Sequence, residues 1–562
     1  MSKFLYVNYR NVNAGITEEL LKKINLLFGV KKDEIHYTRK DTVHLLIIKE
    51  ASNVKVNGKL DFRINLPSSK GDSHYLRVQH EVDCIEVKGD KVGSRAIWYY
   101  ADTEKLIVSS SQKAIVAVIG SFQPDESAWT WMLANGSLGP ELSWDKRIKA
   151  LPADAKLLFD TQVWKPQVIL PNWKFVYEKK SKLELKEELG NLLEEVKYDF
   201  DLGETKTLLT LSGGYDSRAA LYLLKQNKNI DTATWGIPAA FKTPLTDATV
   251  ARAVSKAWDT RHFEYDVQLK NNFEQNLEIF LAYGEGRNDH INTFMDGLEM
   301  WQRIAEDGYK WVVRADEAFG WLPVKTELDV RTSVAMADFS DFRNVPKAVI
   351  ESLPKQAVPD YLKRGINEPL EDYRDRLYQQ YRLPFVIGPL QDPPLSFVEY
   401  LNPLLHPKLI DFARALPPEL RTKKKLYAEW VDSLLPQIPY AEVPSIPEAY
   451  NIASSSENFK LFEAFFYDES SRALFGNEFV TFVQKNLRSK DSASDSINSK
   501  FKVKVNRLMP LGIKKLIRNK ITGYQLDIGS LMLRSFIVYK MNSMMKEASC
   551  LISKSGNNYE EK

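Results

Sequence analysis

The stretch LLTLSGGYDSRAALYLL, Leu208 to Leu224, limits the possible folds more than any other part of the chain. An apolar run of strand character leaves through Ser-Gly-Gly and enters a helix at once. Such a junction belongs to a parallel sheet with crossover helices, where each strand hands the chain to a helix packed on the sheet. The following sequence repeats the alternation. DTATW (Asp231 to Trp235) reads as a second strand, and a helix follows with Ala248, Ala251, Val254 and Trp258 at three- and four-residue steps. HFEYDV reads as a third strand, and KWVV (Lys310 to Val313) as a fourth that ends in RADEAFGW.

The turn itself suits an oxyanion. Gly213 and Gly214 let backbone N–H groups approach where a Cβ would clash, and the helix near Ser217 directs free N–H groups and partial positive charge to the same place. Ser212 and Ser217 add hydroxyl donors. Asp216 is repelled by a phosphate unless a cation lies between them, so it reads as a Mg²⁺ ligand. No Gly-Lys-Ser or Gly-Lys-Thr ending is present, which excludes a Walker A loop. Taken alone, a tight turn with Asp216 or Ser217 as the helix cap explains the same residues.

The rest of the chain frames this element. Its 562 residues require two or three domains, and a net charge of +3 gives no reason to expect a nucleic-acid partner. Two cysteines, Cys84 and Cys550, in no ligand spacing, exclude thiolate zinc sites and disulfide frameworks and fit a cytoplasmic protein. MSKFLYVNYRNVNAG lacks the features of a signal peptide, and the best apolar run, Ala114 to Gly120, is too short to be a transmembrane segment. Residues 1–178 read as mostly short strands with one helix over Glu126 to Asn135, capped by Asp125. Residues 179–450 carry the strand–helix alternation and then helices, and 451–562 are helical and basic, ending in a helix from Ile528 to Met545. Among the seven histidines there is no HExxH and no pair at metal-ligand spacing.

LSGGYDSR resembles the SGGxDS pyrophosphate-loop (PP-loop) motif of the asparagine synthetase and β-lactam synthetase superfamily. TWGIPAAFKTPLTDATVARAVSKAWDTRHFEYD resembles that family's second strand and helix, RADEAFGW its GxDExFGG segment, and NPLLHPKLIDFARALPPELRTKKKLYAEWV its "PFLD…FA..LPxxLK…K..L" region. Upstream, IWYYADTEKLIVSSSQKAI and PDESAWTWMLANGSLGPELSWDKRIKALPADAKLLFD are similar to the C-terminal half of its glutaminase domain, so the likeness covers roughly residues 90 to 440. The resemblance implies an α/β protein: a β-rich, Ntn-hydrolase-like domain over 1–178, an adenine-nucleotide α-hydrolase-like PP-loop sheet over 179–450, and a helical extension over 451–562 packed on the synthetase domain. It implies ATP and Mg²⁺ as cofactors. Asp216 and Asp316 match the metal-binding acids. Leu211, Ser212, Gly213, Gly214, Asp216 and Ser217 match the loop around the phosphates, and Trp235 and Gly236 match the place where the backbone meets adenosine.

Three departures from the pattern matter. The glutaminase of this family needs a cysteine after the initiator methionine, and here Ser2 stands there, so the domain reads as a retained scaffold. The family's Glu or Tyr three residues before the metal-binding Asp is Val313, and Arg314 follows it, placed to bind pyrophosphate or an acidic substrate or simply to pair with Asp316 or Glu317. The late lysine after "LLP" is missing from QIPYAEVPSIPEAYN, which leaves Lys423, Lys424 and Lys425 as possible substitutes, with a solvated charge run as the competing reading. Arg314, Glu317 and Lys423 are the catalytic candidates.

The resemblance therefore implies an AMP-forming amide-bond synthetase. A small-molecule or peptide carboxylate is adenylated and captured by an amine without glutamine hydrolysis. Ring closure fits best, as in lasso-peptide macrolactam formation, with a precursor peptide or a biosynthetic enzyme as partner. The alternatives are ammonia-dependent amidation in a polysaccharide pathway, a pyrophosphatase that moves sulfur onto tRNA, and a nucleotide-binding pseudoenzyme. The basic stretch Lys500 to Gly523 reads as a surface helix, with a membrane surface or an acidic leader peptide as alternative ligands.

Overall fold

Strand and helix segregate along the chain as their periodicities require. The computed structural model describes residues 3–29, 35–48, 54–56, 60–65, 74–81, 83–177, 179–200, 202–227, 229–268, 272–434, 437–453, 455–487 and 524–551. Ser2, the polar link 489–500 and the basic stretch 500–523 lie outside these residues. The protein is mixed α/β, with antiparallel sheets in the first third and a parallel sheet with helices after it.

The first third holds β1 (Phe4–Tyr9), β2 (Ile35–Lys40), β3 (Val43–Ile48), β4 (Val54–Val56), β5 (Phe62–Asn65), β6 (His74–His80), β7 (Cys84–Gly89), β8 (Trp98–Ala101), β9 (Lys105–Ser109), β10 (Lys149–Ala150), β11 (Lys156–Asp160) and β12 (Lys165–Ile169). They form two six-stranded sheets in the orders β10-β8-β9-β1-β3-β2 and β12-β11-β7-β6-β5-β4. In the central β1, alternate residues serve two cores. Phe4 and Tyr6 join Phe62, Val78, Val87 and Leu157 between the sheets. Leu5 and Val7 face the other way, under helices α1 (Glu18–Leu27), α2 (Gln112–Ile119) and α3 (Glu126–Asn135). The α3 helix, with Asp125 as its N-cap, lies where the sequence placed it. The sequence reading of one helix in this region is corrected: α1 and α2 are also present, and α2 is the apolar run Ala114 to Gly120 curled under the sheet. Buried on nearly every side, α2 shows no amphipathic stripe to read.

The parallel sheet contains β13 (Thr207–Thr210), β14 (Ile230–Gly236), β15 (His262–Asp266), β16 (Trp311–Val313) and β17 (Glu399–Leu401), in the order β15-β14-β13-β16-β17. The short β17 was missed in the sequence. Helices α4 (Lys182–Lys197), α5 (Tyr215–Leu224) and α6 (Asp247–Ala257) bury Leu189, Leu193, Leu221 and Val254 with Leu209 and Val313 of the sheet. Leu208, Ala233 and Val312 point to the opposite face, into the core shared with α2 and α3. Both faces are therefore covered, as continuous apolar strands demand.

The two parts are joined at β17. Arg95 donates to Glu399 at 2.6 Å with both side chains buried, and the Tyr75 hydroxyl donates to the Tyr400 carbonyl at 2.9 Å. The helix Ile528–Ser549 packs on α2, α3 and on α7 (Phe273–Gly284), through Leu531, Phe536, Met541 and Met545. Its Arg534 donates to the Ala134 carbonyl at 2.9 Å and to Asp289 at 2.6 Å, satisfying an end of α3 that has no intrahelical partner.

Candidate functional site

The strand order reverses between β13 and β16, where connections leave to opposite sides and open a crevice at the carboxyl ends of the strands. Ser212-Gly213-Gly214 follows β13 there, and Arg314-Ala315-Asp316-Glu317 follows β16. Leu211, buried, pairs its N–H with the Ala233 carbonyl at 2.8 Å and carries the sheet into the turn.

The turn is fixed by its own side chains. Ser217 Oγ lies 3.1 Å from Ser212 Oγ, accepts from the Ser212 N–H at 3.2 Å and donates to the Ser212 carbonyl at 3.0 Å. The N-cap of α5 is Gly214, which offers no side-chain hydrogen bond, so neither Asp216 nor Ser217 caps the helix. The Gly214 N–H is taken by Ser212 Oγ at 3.2 Å, but among the described residues the N–H groups of Tyr215, Asp216 and Ser217 have no side-chain acceptor, the condition that makes a helix start an anion site.

Gly213 is required by packing as well as by approach. A Cβ on it would lie 2.2 Å from the Ala441 Cβ, whereas one on Gly214 would meet only Ser212 Oγ at 3.4 Å. The Gly213 N–H donates to Asp247 Oδ1 at 3.0 Å, and its carbonyl accepts from the Ala441 N–H at 3.2 Å. The segment Tyr440–Ser445 thus lies across the loop. Tyr440 stacks on Tyr215 with ring centroids 4.0 Å apart, and the Arg218 guanidinium sits 4.1 Å from the Tyr440 ring centre. The same segment reaches Gly236, where a Cβ would meet the Ser445 Cβ at 2.8 Å, and the Ile237 N–H donates to the Ser445 carbonyl at 3.0 Å. Trp235 stands edge-on to Trp301 at 5.7 Å, against the core rather than in the open.

Lys424 joins the two halves of the crevice. Its ammonium lies 2.9 Å from Asp216 Oδ2 and 2.8 Å from Glu317 Oε1. Glu317 is almost fully enclosed, and burial pushes its carboxyl up to about 7; Lys424 pulls it down and Asp216 adds to the rise. The Lys424 ammonium is held well above the usual lysine value by these two carboxylates, against its own desolvation. Lys423 and Lys424 both adopt left-handed backbone, at φ 60° and 57°. Two successive non-glycine residues in that region carry a conformational cost that the surroundings must offset, and such strain gathers at functional sites. The Lys423 N–H bonds the Trp321 carbonyl at 2.9 Å, and Gly320, at φ 127°, presses against the Arg421 carbonyl. Only glycine allows that approach.

The predicted residues do not all converge. Asp216 and Glu317 meet through Lys424. Asp316 is instead paired with Arg314, Nε to Oδ2 and Nη2 to Oδ1 both at 3.1 Å. Arg314 therefore takes the pairing role that the sequence left open. Lys423 is exposed, while its neighbour Lys424 occupies the crevice. The segment after β16 is irregular, and in it Asp316 and Glu317 take different partners, Arg314 and Lys424. Asp247, Arg218 and Tyr440 were not singled out from the sequence. Asp247 follows Thr246 at the start of α6, where its pattern is that of an ordinary capping residue.

A cation is suited to part of this arrangement. Among the described residues Asp216 Oδ1 is buried without a well-formed hydrogen bond, approached by the Tyr427 hydroxyl, with which a ligand would compete for it. The Tyr427 hydroxyl is pushed up by burial, by the charges of Asp216 and Glu317 and by its hydrogen-bonding approach to Asp216. Between Asp216 and Glu317 the Lys424 ammonium already supplies positive charge. No cluster of three or more histidine, cysteine or acidic side chains in metal-ligand arrangement occurs among the described residues. No described helix is long and apolar enough to cross a membrane. No model of a known protein family matches the chain, and no curated protein matches it either.

Proposed function

We propose that the protein is an ATP-dependent, AMP-forming amide-bond synthetase whose antiparallel part is an Ntn-like domain without glutaminase chemistry and whose parallel sheet is of the PP-loop kind. The observation that carries the reading is the uncapped start of α5 beside the Ser-Gly-Gly turn, at the reversal of strand order, with Asp216 directed toward the Glu317 side of the crevice. A parallel sheet uses this place for phosphorylated ligands.

In this reading the first turn of α5 and the hydroxyls of Ser212 and Ser217 bind the phosphates of the substrate ATP. The mutual hydrogen bond of the two serines holds the loop in shape beforehand, which avoids reorganisation during reaction. Asp216, with Asp316 from the opposite strand, would hold Mg²⁺. The ion neutralises charge on the phosphates when bound. Lys424 adds a second positive charge at the same face. Glu317, whose raised pKa places it between acid and base near neutral pH, is suited to take the proton of an attacking amine. The acyl acceptor is an amine already present on the substrate, and ring closure of a peptide or small molecule is the favoured outcome.

One observation favours a second reading, a nucleotide-binding pseudoenzyme. Lys424 fills the space between Asp216 and Glu317, and Arg314 engages Asp316, so internal cations satisfy the acids. ATP–pyrophosphate exchange with purified protein, Mg²⁺ and fractionated host extract separates the two. Exchange that disappears in Asp216→Ala supports the synthetase; Mg-ATP binding without exchange in any fraction supports the pseudoenzyme.

A further inference from the structure

Most arginines around the crevice are matched to carboxylates, and two, Arg218 and Arg382, are not. Arg374 pairs with Asp375 at 2.8 Å, Arg376 with Glu368 at 2.7 Å, Arg314 with Asp316 at 3.1 Å, and Arg421 with Asp372. Arg218, which has no carboxylate, donates to the carbonyls of Ile438 and Pro439. Arg382 has neither kind of partner among the described residues. Its Nε is sealed from solvent with no acceptor, and its guanidinium rests 5.0 Å from the ring centre of Trp321. Arg382 is partly exposed, and its two amino nitrogens, not sealed like Nε, have no protein acceptor among the described residues, so they stay open to a ligand that supplies one.

Its location ties Arg382 to the candidate site. Residues Tyr378–Ile387 form a π-helical stretch continuing the helix Leu370–Leu377, a rare geometry that concentrates at functional places. Tyr378 and Arg382 lie one turn apart on it. The Tyr378 hydroxyl donates to Glu317 Oε1 at 3.4 Å, and its ring lies 4.9 Å from that of Trp321. The phenol is raised by burial and by Glu317, Asp316 and Asp216, and is drawn down by Arg382, so one side chain feels both the acids of the crevice and the unmatched guanidinium. Burial also weakens the hold of Arg382 on its proton, offset in part by Tyr378 and Tyr381.

We propose that Arg382, backed by Trp321, is a specificity-determining receptor for a carboxylate that the substrate carries in addition to the one it activates. The inference rests on the synthetase reading and narrows its substrate to acidic molecules with two carboxylates. A planar guanidinium stacked on an indole presents two parallel N–H donors to a carboxylate, a geometry that lysine does not reproduce.

The test is calorimetric titration of the full chain, without nucleotide, with glutarate (two carboxylates) and butyrate (one). Wild type is expected to bind glutarate at least tenfold more tightly than butyrate. Arg382→Gln should remove that preference, and Arg382→Lys should restore only part of it. A thermal melt of Arg382→Met supplies the independent readout. Loss of an arginine with no protein acceptor leaves Tm unchanged, whereas loss of a structural arginine lowers it. Equal binding of the two acids to wild type, or a preference unchanged in Arg382→Gln, overturns the proposal, as does a lowered Tm in Arg382→Met. Glutarate preference lost in Arg382→Gln, together with no pyrophosphate exchange in wild type, removes the synthetase reading and leaves the carboxylate receptor in place.

Discussion

Lys424 and Glu317 stand 2.8 Å apart, and the same ammonium reaches Asp216 at 2.9 Å, so the ends of β13 and β16 are joined through one side chain. Lys424→Met leaves the enclosed Glu317 facing the partly exposed Asp216 with no cation between them. Removing one partner from such a group costs about 3 kcal/mol. Urea unfolding at neutral pH should show that loss. Pyrophosphate exchange, if present in wild type, should fall by roughly a hundredfold, in line with the loss of a preorganised charge. A Lys424→Met protein as stable and active as wild type would sever the pairing from both roles.

The pH dependence of stability follows from Glu317. Its folded pKa, about 7, lies above the 4.5 of an unperturbed glutamate. Between these values the folded state retains a proton that the unfolded chain releases. The group's contribution is therefore fully present below about 4.5 and is lost as pH rises through about 7. Lys424 retains its proton throughout that window, so it does not mask the effect. Unfolding free energies measured from pH 5 to 8 should decline in wild type and stay flatter in Glu317→Gln. Parallel profiles would contradict the assignment.

The two glycines of the turn should separate packing from binding. Gly213→Ala drives a methyl into Ala441 at 2.2 Å and should destabilise the protein by about 1–3 kcal/mol. Gly214→Ala meets ordinary contact at 3.4 Å, so its Tm should stay within about 1 °C of wild type. Its added methyl stands at the mouth of α5, and Mg-ATP affinity by calorimetry should still drop. Equal Tm losses in the two variants would show that the segment over Gly213 is not fixed.

Asp247→Ala tests the anchor behind the turn. It removes the acceptor of the Gly213 N–H and leaves a partly buried donor unpaired, at a cost of about 1–2 kcal/mol. Mg-ATP affinity should fall several-fold, with Asp247→Asn retaining part of it through its amide oxygen.

Much of this molecule was legible in one dimension. The strand–turn–helix at Leu208 to Leu224, the parallel order of β13 to β15 and the capped α3 follow from local periodicity and turn chemistry, which neighbouring residues settle among themselves. The helix α2 was not legible because its residues are apolar on all sides, so no alternation shows which structure they adopt. Nor was β17, whose three residues take strand form only because β16 offers them an edge.

The site divides in the same way. The sequence by itself determined that Gly213, Gly214, Asp216 and Ser217 form one turn at the head of a helix, since four adjacent residues cannot be far apart. It also placed Asp316 and Glu317 after another strand. Only the tertiary structure decided that Glu317 faces Asp216, that Arg314 takes Asp316, and that Lys424 rather than Lys423 fills the space between. Which of three consecutive lysines turns inward depends on the left-handed backbone at Lys423 and Lys424. That conformation is held by the Trp321 carbonyl and by the close approach of Gly320 to Arg421, contacts between segments about a hundred residues apart. A run of identical side chains carries no local signal for it.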